Sequence, residues 1–334
     1  MSSSVPAAMA PQSPAPSTTR PRFLHAYAEL TKARLSALVI LTTAVGFAMG
    51  AHGSGYGWRF LWTVLGTALA AGCANALNQV IESPRDRMMK RTCARPVPAG
   101  IISPRHGVVV AVIMGALGVA LLLTLANALA ATLAAATIII YAGLYTPLKL
   151  RSTLNTIVGA VCGAIPPVIG WAAATGSVDT RALVLAALLF VWQIPHFLAI
   201  AWLYREDYAR GRFAMLPVLD ESGELTGRVV VLASLVLLPL SLTFTLVGLT
   251  GWVYAGGSLT LGAGLLWLGL ALHGNRTPTA ARRVFLASIV YLSAVMLLMV
   301  VDRGPVSGLR PEWIAARANA TTTAILPPER TVPR

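Results

Sequence analysis

Apolar residues gather into blocks of about 20, the length a helix needs to cross a bilayer, and polar residues fall in the short gaps between them. Nine such blocks run at 35–53, 59–80, 106–125, 128–146, 154–174, 181–203, 228–248, 252–272 and 284–301. The pattern predicts an all-α polytopic membrane protein, a bundle of nine transmembrane helices. No long polar linker divides the blocks, so residues 23–303 read as one membrane domain. The stretch FLHAYAELTKAR leads into the first span as a short amphipathic segment. Residues 1–22 are rich in Ser, Pro and Ala and lack an apolar core, which predicts a disordered tail. They do not read as a secretory signal, because the first long apolar run begins near Leu35 with no cleavage site behind it. Residues 304–334 are expected to form a flexible C-terminal tail.

Composition agrees: 56% of the 334 residues are hydrophobic and only 11% are charged, with a mean hydropathy of +0.71. The net charge of +14 does not point to a nucleic-acid partner, because the positives sit in the connections rather than on a soluble module. Nineteen of the 26 Lys and Arg fall on one side of the predicted bundle. By the positive-inside rule that side, with the N-terminus, is cytoplasmic, and the C-terminus lies outside. The expected location is a multi-pass protein of a bacterial-type cell (inner) membrane, in contact with the lipid bilayer. Cys73, Cys93 and Cys162 have no metal-ligand spacing and read as small packing residues.

Charge that topology leaves unexplained is concentrated in two connections on the cytoplasmic side. The first, NQVIESPRDRMMKRTCARPVPAG (78–100), follows an apolar run directly. Asn78, Glu82 and Asp86 are spaced i, i+4, i+8, and each step advances about 40° on a helix, so their oxygens share one face. Such a face suits a hard divalent cation, and the bases that follow suit a phosphorylated ligand, because Mg²⁺ is usually held by one or two carboxylates with substrate phosphates completing its shell. The bland reading is a positive-inside flank with solvated acids. Against it, Glu82 sits at the end of an apolar helix, where the helix dipole disfavours an acid. Pro84 is expected to kink or end that helix near Glu82 and leave Asp86 in the loop.

The second connection begins within WQIPHFLAIAWLYREDYARGRFAMLP (192–217) and carries Asp207, a carboxylate offered across the bundle from Asn78 and Glu82. Gln193 and His196 lie inside the membrane zone, where polar groups face a bundle interior or cavity. For His196 a packing role and a role as ligand or base both remain open. Between spans four and five, YTPLKLR brings Lys149 and Arg151 to the cytoplasmic face. Tyr141 and Tyr145 read as interface-belt residues. Gly159, Gly163 and Gly170, with Pro166 and Pro167, would let the fifth span pack closely or bend and make room for a large apolar ligand.

These segments, together with LTKAR before span one and GAIPPVIGW in span five, resemble the heme O synthases, a family of the UbiA superfamily of intramembrane prenyltransferases. The resemblance covers roughly residues 28–300. It departs from the wider superfamily at Leu203, where an acid is expected four residues before Asp207, and Pro84 interrupts the first motif. What it implies is a nine-helix bundle with a central cavity, opening at the cytoplasmic side. It implies Mg²⁺ held by Asn78, Glu82, Asp86 and Asp207, and a diphosphate met by Lys90, Arg91, Arg95, Lys149 and Arg151. His196 would contact heme or orient water. The implied reaction transfers the farnesyl group of farnesyl diphosphate to a vinyl group of heme b (protoheme IX), with water addition, giving heme O for terminal oxidases. Heme A synthase or a terminal oxidase assembly would be the partner. Two rivals stand beside it: a sister prenyltransferase of a quinone or chlorophyll precursor, and a heme-handling membrane transporter built on kinked helices with intramembrane polar groups.

Overall fold

A computed structural model describes residues 23–51 and 57–304. Both predicted tails therefore lie outside the described residues, apart from Gly304. Among the described residues, nine helices are long and apolar enough to cross a membrane. In chain order the elements are α1 (Phe23–Leu30), α2 (Ala33–Gly50), α3 (Gly57–Asp86), α4 (Pro104–Leu125), α5 (Ala128–Ile139), a π-helical turn (Ile140–Tyr145), α6 (Thr146–Leu148), α7 (Asn155–Thr175), α8 (Thr180–Leu203), α9 (Arg205–Arg210), α10 (Leu216–Leu219), α11 (Glu224–Leu246), α12 (Trp252–Asn275) and α13 (Pro278–Val301).

Local chemistry sets the ends. Ser103, Asn127, Asp179 and Thr277 each accept a bond from a backbone N–H in the first turn of α4, α5, α8 and α13, groups that otherwise have no partner in the helix. Pro follows the cap in α4 and α13, where its missing N–H costs nothing. Gly176, at φ 77°, closes α7 in the left-handed conformation.

The helices form a ring. Helix α2 packs on α3 and α7, α3 on α4, α4 on α5, and α5 back on α7; α8 joins this half to α11 and α13, both of which pack on α12, and α13 returns to α2 by a thin seam. Trp171, Leu185, Leu188, Trp192, Phe244, Tyr254 and Tyr291 fill the larger core. The outer faces carry Ile113, Leu117, Leu232, Trp267, Val290 and Leu297 exposed, which suits lipid rather than water.

At the α2–α7 contact the two backbones themselves approach closely. A methyl group built on Gly46 would lie 2.0 Å from the Pro167 carbonyl oxygen, and one on Gly170 would lie 2.0 Å from that of Thr43. The close packing expected of span five is therefore backbone against backbone. Pro84 behaves differently from expectation: α3 continues through it to Asp86. The proline lies in the final turn, where few intrahelical bonds remain to be lost, and Arg87 N still donates to Ser83 O at 3.2 Å.

Candidate active site

Four segments meet at one end of the bundle: the start of α2, the end of α3, the α6–α7 connection and α9. Hydrogen bonds join them. Lys32 Nζ donates to Asn78 Oδ1 at 2.5 Å, Lys149 Nζ to Glu82 Oε1 at 2.8 Å, and the backbone N–H groups of Lys90 and Arg91 to the two Asp207 oxygens at 3.0 and 3.2 Å. Ala214 N donates to Lys149 O at 2.7 Å, which docks the chain after α9 onto the lysine loop.

Asn78, Glu82 and Asp86 lie in the last three turns of α3 and are all buried. Asn78 Nδ2 donates to Thr146 Oγ1 at 3.1 Å, and Thr146 Oγ1 donates in turn to Tyr141 O at 2.8 Å. This fixes the amide with its oxygen toward Lys32. The π-helical turn of residues 140–145 sets up the contact. Turns of this kind gain a residue and change side-chain register, and here Tyr145 comes 4.5 Å beneath the Lys149 ammonium. Neither Tyr141 nor Tyr145 serves as an interface belt: Tyr141 lines the internal cavity, and Tyr145 covers Lys149.

Asp86 pairs with Arg95 at 2.8 Å, and Thr92 Oγ1 donates to the Asp86 carbonyl at 3.0 Å. Asp207 also accepts from Arg210. Burial pushes the Asp207 carboxyl up, but Arg210 and the two loop N–H groups outweigh that and hold it below the usual carboxylate range. Lys149 is likewise opposed by burial, yet the Glu82 carboxylate holds its ammonium well above the ordinary lysine value. Lys32 goes the other way: burial, followed by repulsion from Arg95, brings it down to about 7.

Of the five cations expected to meet a diphosphate, Lys149 and Arg95 stand at the α3 acids. Arg91 lies over the rings of Tyr204 and Tyr208, 4.5 and 5.3 Å from their centroids, and donates to Tyr208 Oη at 3.1 Å. Lys90 and Arg151 are exposed, and no side-chain bond ties either to the α3 acids. Lys32 and Thr146 complete the cluster and were not singled out from sequence. Lys32 has φ 49°, a left-handed conformation that is costly for a residue with a side chain. It forms the corner between α1 and α2 that aims the ammonium at Asn78. Both residues lie inside segments, LTKAR and YTPLK, that had been marked as wholes.

One turn before Asn78, Asn75 lines a cavity of about 220 Å³. Its walls are largely apolar, with Leu38, Val39, Gly163, Pro166 and Trp192 among them, and Gln193 and His196 add polar groups. His196 Nδ1 lies 2.8 Å from Ser288 Oγ, and its ring stacks on Trp192 at 4.9 Å.

The all-oxygen donor set of Asn78, Glu82 and Asp86 suits a hard divalent cation. Among the described residues, though, no three His, Cys, Asp or Glu side chains converge on a common point, and each acid is neutralised by a fixed cation. The α3 face therefore fits a metal as one half of a coordination shell, with anionic ligand oxygens as the other half.

Residues 39–295 match the UbiA prenyltransferase family. The chain belongs to this family, a class of membrane-embedded prenyl-transfer enzymes. It is 40% identical over 290 residues to the protoheme IX farnesyltransferase of Koribacter versatilis, covering 84% of this chain and 94% of that protein. Identity to the enzyme of the same name from Opitutus terrae is 43% over 278 residues, covering 83% and 94%. To the human mitochondrial protoheme IX farnesyltransferase it is 42% over 282 residues, covering 84% and 63%. A solved UbiA homolog from Archaeoglobus fulgidus bound to DMAPP and Mg²⁺ shares the fold, with a TM-score of 0.59 and 15% identity over 82% of this chain and 99% of that one.

Proposed function

We propose that the protein transfers the farnesyl group of farnesyl diphosphate to a vinyl group of heme b, with water addition, giving heme O. The observation that carries this reading is the junction on α3: a buried row of Asn78, Glu82 and Asp86, matched to cations, adjoins an apolar cavity that Asn75 lines one turn earlier on the helix. A diphosphate belongs at the first and a prenyl chain in the second. The names of the relatives supply heme as the acceptor.

In this reading Asn78, Glu82, Asp86 and Asp207 would hold Mg²⁺, which when bound supplies Lewis-acid charge to the diphosphate. Lys149, Arg95 and Lys32 exchange their carboxylate and amide partners for phosphate oxygens and balance the charge on the departing diphosphate. Arg91, fixed by Tyr204 and Tyr208, closes the outer rim, and Lys90 and Arg151 add positive potential from the surface. The cavity wall keeps water from the allylic cation. His196 belongs to the heme side. The Lys and Arg asymmetry supports a topology with this end of the bundle, and the N-terminus, on the cytoplasmic side of the cell membrane.

The test is direct. Purified protein with heme b, farnesyl diphosphate and Mg²⁺ is expected to yield heme O by mass, and EDTA is expected to stop the reaction. Prenylation of a quinone precursor in place of heme overturns the assignment.

A further inference from the structure

We propose that His196 is the axial ligand to the iron of the heme substrate, and that Ser288 positions it by fixing the imidazole tautomer. This rests on the heme-farnesylating reading above.

The tautomer follows from counting hydrogens. Ser288 Oγ lies 2.7 Å from the Phe285 carbonyl and donates to it. A hydroxyl has one hydrogen, so toward His196 the same oxygen can only accept. The proton of the 2.8 Å contact therefore sits on His196 Nδ1. A neutral imidazole protonated there carries its lone pair on Nε2. Among the described residues that atom has no hydrogen-bond partner, and it is not among the sealed polar atoms of the interior, while the residue itself lines the cavity.

Two aromatic rings hold the imidazole. Trp192 stacks on it at 4.9 Å and 25°, and Phe285 lies against it at 5.0 Å. Trp192 Nε1 donates to the Ser288 carbonyl at 2.7 Å, so the residue that orients the imidazole is itself anchored to the one that stacks on it. Histidines that bind metals characteristically give their second N–H to a fixed acceptor, which sets the tautomer and ring direction. Iron in a porphyrin is commonly held by one such nitrogen. A packing histidine needs no unpaired nitrogen in a residue that lines a cavity.

The experiment is titration of the purified full chain with ferric heme b, read by the Soret band and by electron paramagnetic resonance. The wild type is expected to show a nitrogen-ligand signature. His196→Ala should lose it and weaken heme binding at least tenfold, and added imidazole should restore the signature. His196→Met, close in volume, should exchange it for a thioether signature. Ser288→Ala should keep the nitrogen signature with heme affinity several-fold lower. If His196→Ala and His196→Met give the wild-type spectrum while the wild type makes heme O, iron ligation is overturned and the farnesyltransferase reading stands. Unchanged spectra with lost turnover in these variants also overturn it, in favour of a water- or proton-handling histidine. A wild type that neither binds heme nor makes heme O overturns both.

Discussion

Lys149 Nζ lies 2.8 Å from Glu82 Oε1, with side chains only 12% and 8% exposed. The pair joins the end of α3 to the α6–α7 connection. Removing one member of a buried pair leaves an uncompensated charge and costs about 3–5 kcal/mol. Lys149→Ala is therefore expected to lower thermal stability in detergent and to cut farnesyl transfer by about 100-fold or more. Adding Glu82→Gln should recover much of the stability and none of the activity. If the double variant is no more stable than Lys149→Ala, the pair does not carry the stability assigned to it.

Asp207 anchors the loop after α3 and, in the proposed function, contributes an oxygen to the metal. Asp207→Asn keeps the shape and removes the charge. The expected result is a loss of about 10–100-fold in Mn²⁺ affinity measured with diphosphate present, together with a small drop in melting temperature. A melting shift with unchanged Mn²⁺ affinity would assign Asp207 to the loop alone.

The α2–α7 contact leaves no room for a methyl group. Gly46→Ala and Gly170→Ala should each destabilise by about 1–3 kcal/mol, because the obstacle is backbone and the helices must separate. Gly264→Ala on α12 meets nothing within 4 Å and should be neutral or slightly stabilising. Melting curves of the three variants decide this.

At the N-terminus of α11, Asp220 accepts from Thr226 N at 2.7 Å, Gly223 N at 3.1 Å and Ser222 Oγ at 3.1 Å. Burial raises its carboxyl pKa, but these donors outweigh burial and hold it below the ordinary value of 3.8. A depressed carboxylate stabilises fully above its unfolded pKa and loses that contribution as pH falls through the folded one. Asp220→Asn should thus cost about 1 kcal/mol near neutral pH. The gap between wild type and variant should close as pH drops from about 5 toward 3. A gap that stays constant across that range would show that charge plays no part.

Helix number and span positions were legible because lipid-facing and core-facing apolar residues form long blocks; the structure moves most ends by a few residues, while α3 runs on past its expected end to Asp86 and α13 starts earlier, at Pro278. Asn78, Glu82 and Asp86 were legible because acids at helical spacing are conspicuous in a chain with so few. Pro84 misled because proline's cost depends on how much helix follows it, and here only two residues do. Lys32 stayed hidden because its role depends on a left-handed corner that spacing does not encode. Lys149 and Arg151 looked equivalent in sequence, and the bond from Lys149 to buried Glu82 shows which of the two the fold turns inward.

The pairing of Glu82 with Lys149, Asp86 with Arg95 and Asp207 with Arg210 also bears on the bilayer around it. A polar cleft leading into a membrane-spanning bundle could give protons or small cations a route partway across. Each acid is already paired with a side chain that cannot diffuse, so without substrate the cleft holds no uncompensated carboxylate, and a mobile ion gains a foothold only when an anionic ligand arrives to share it.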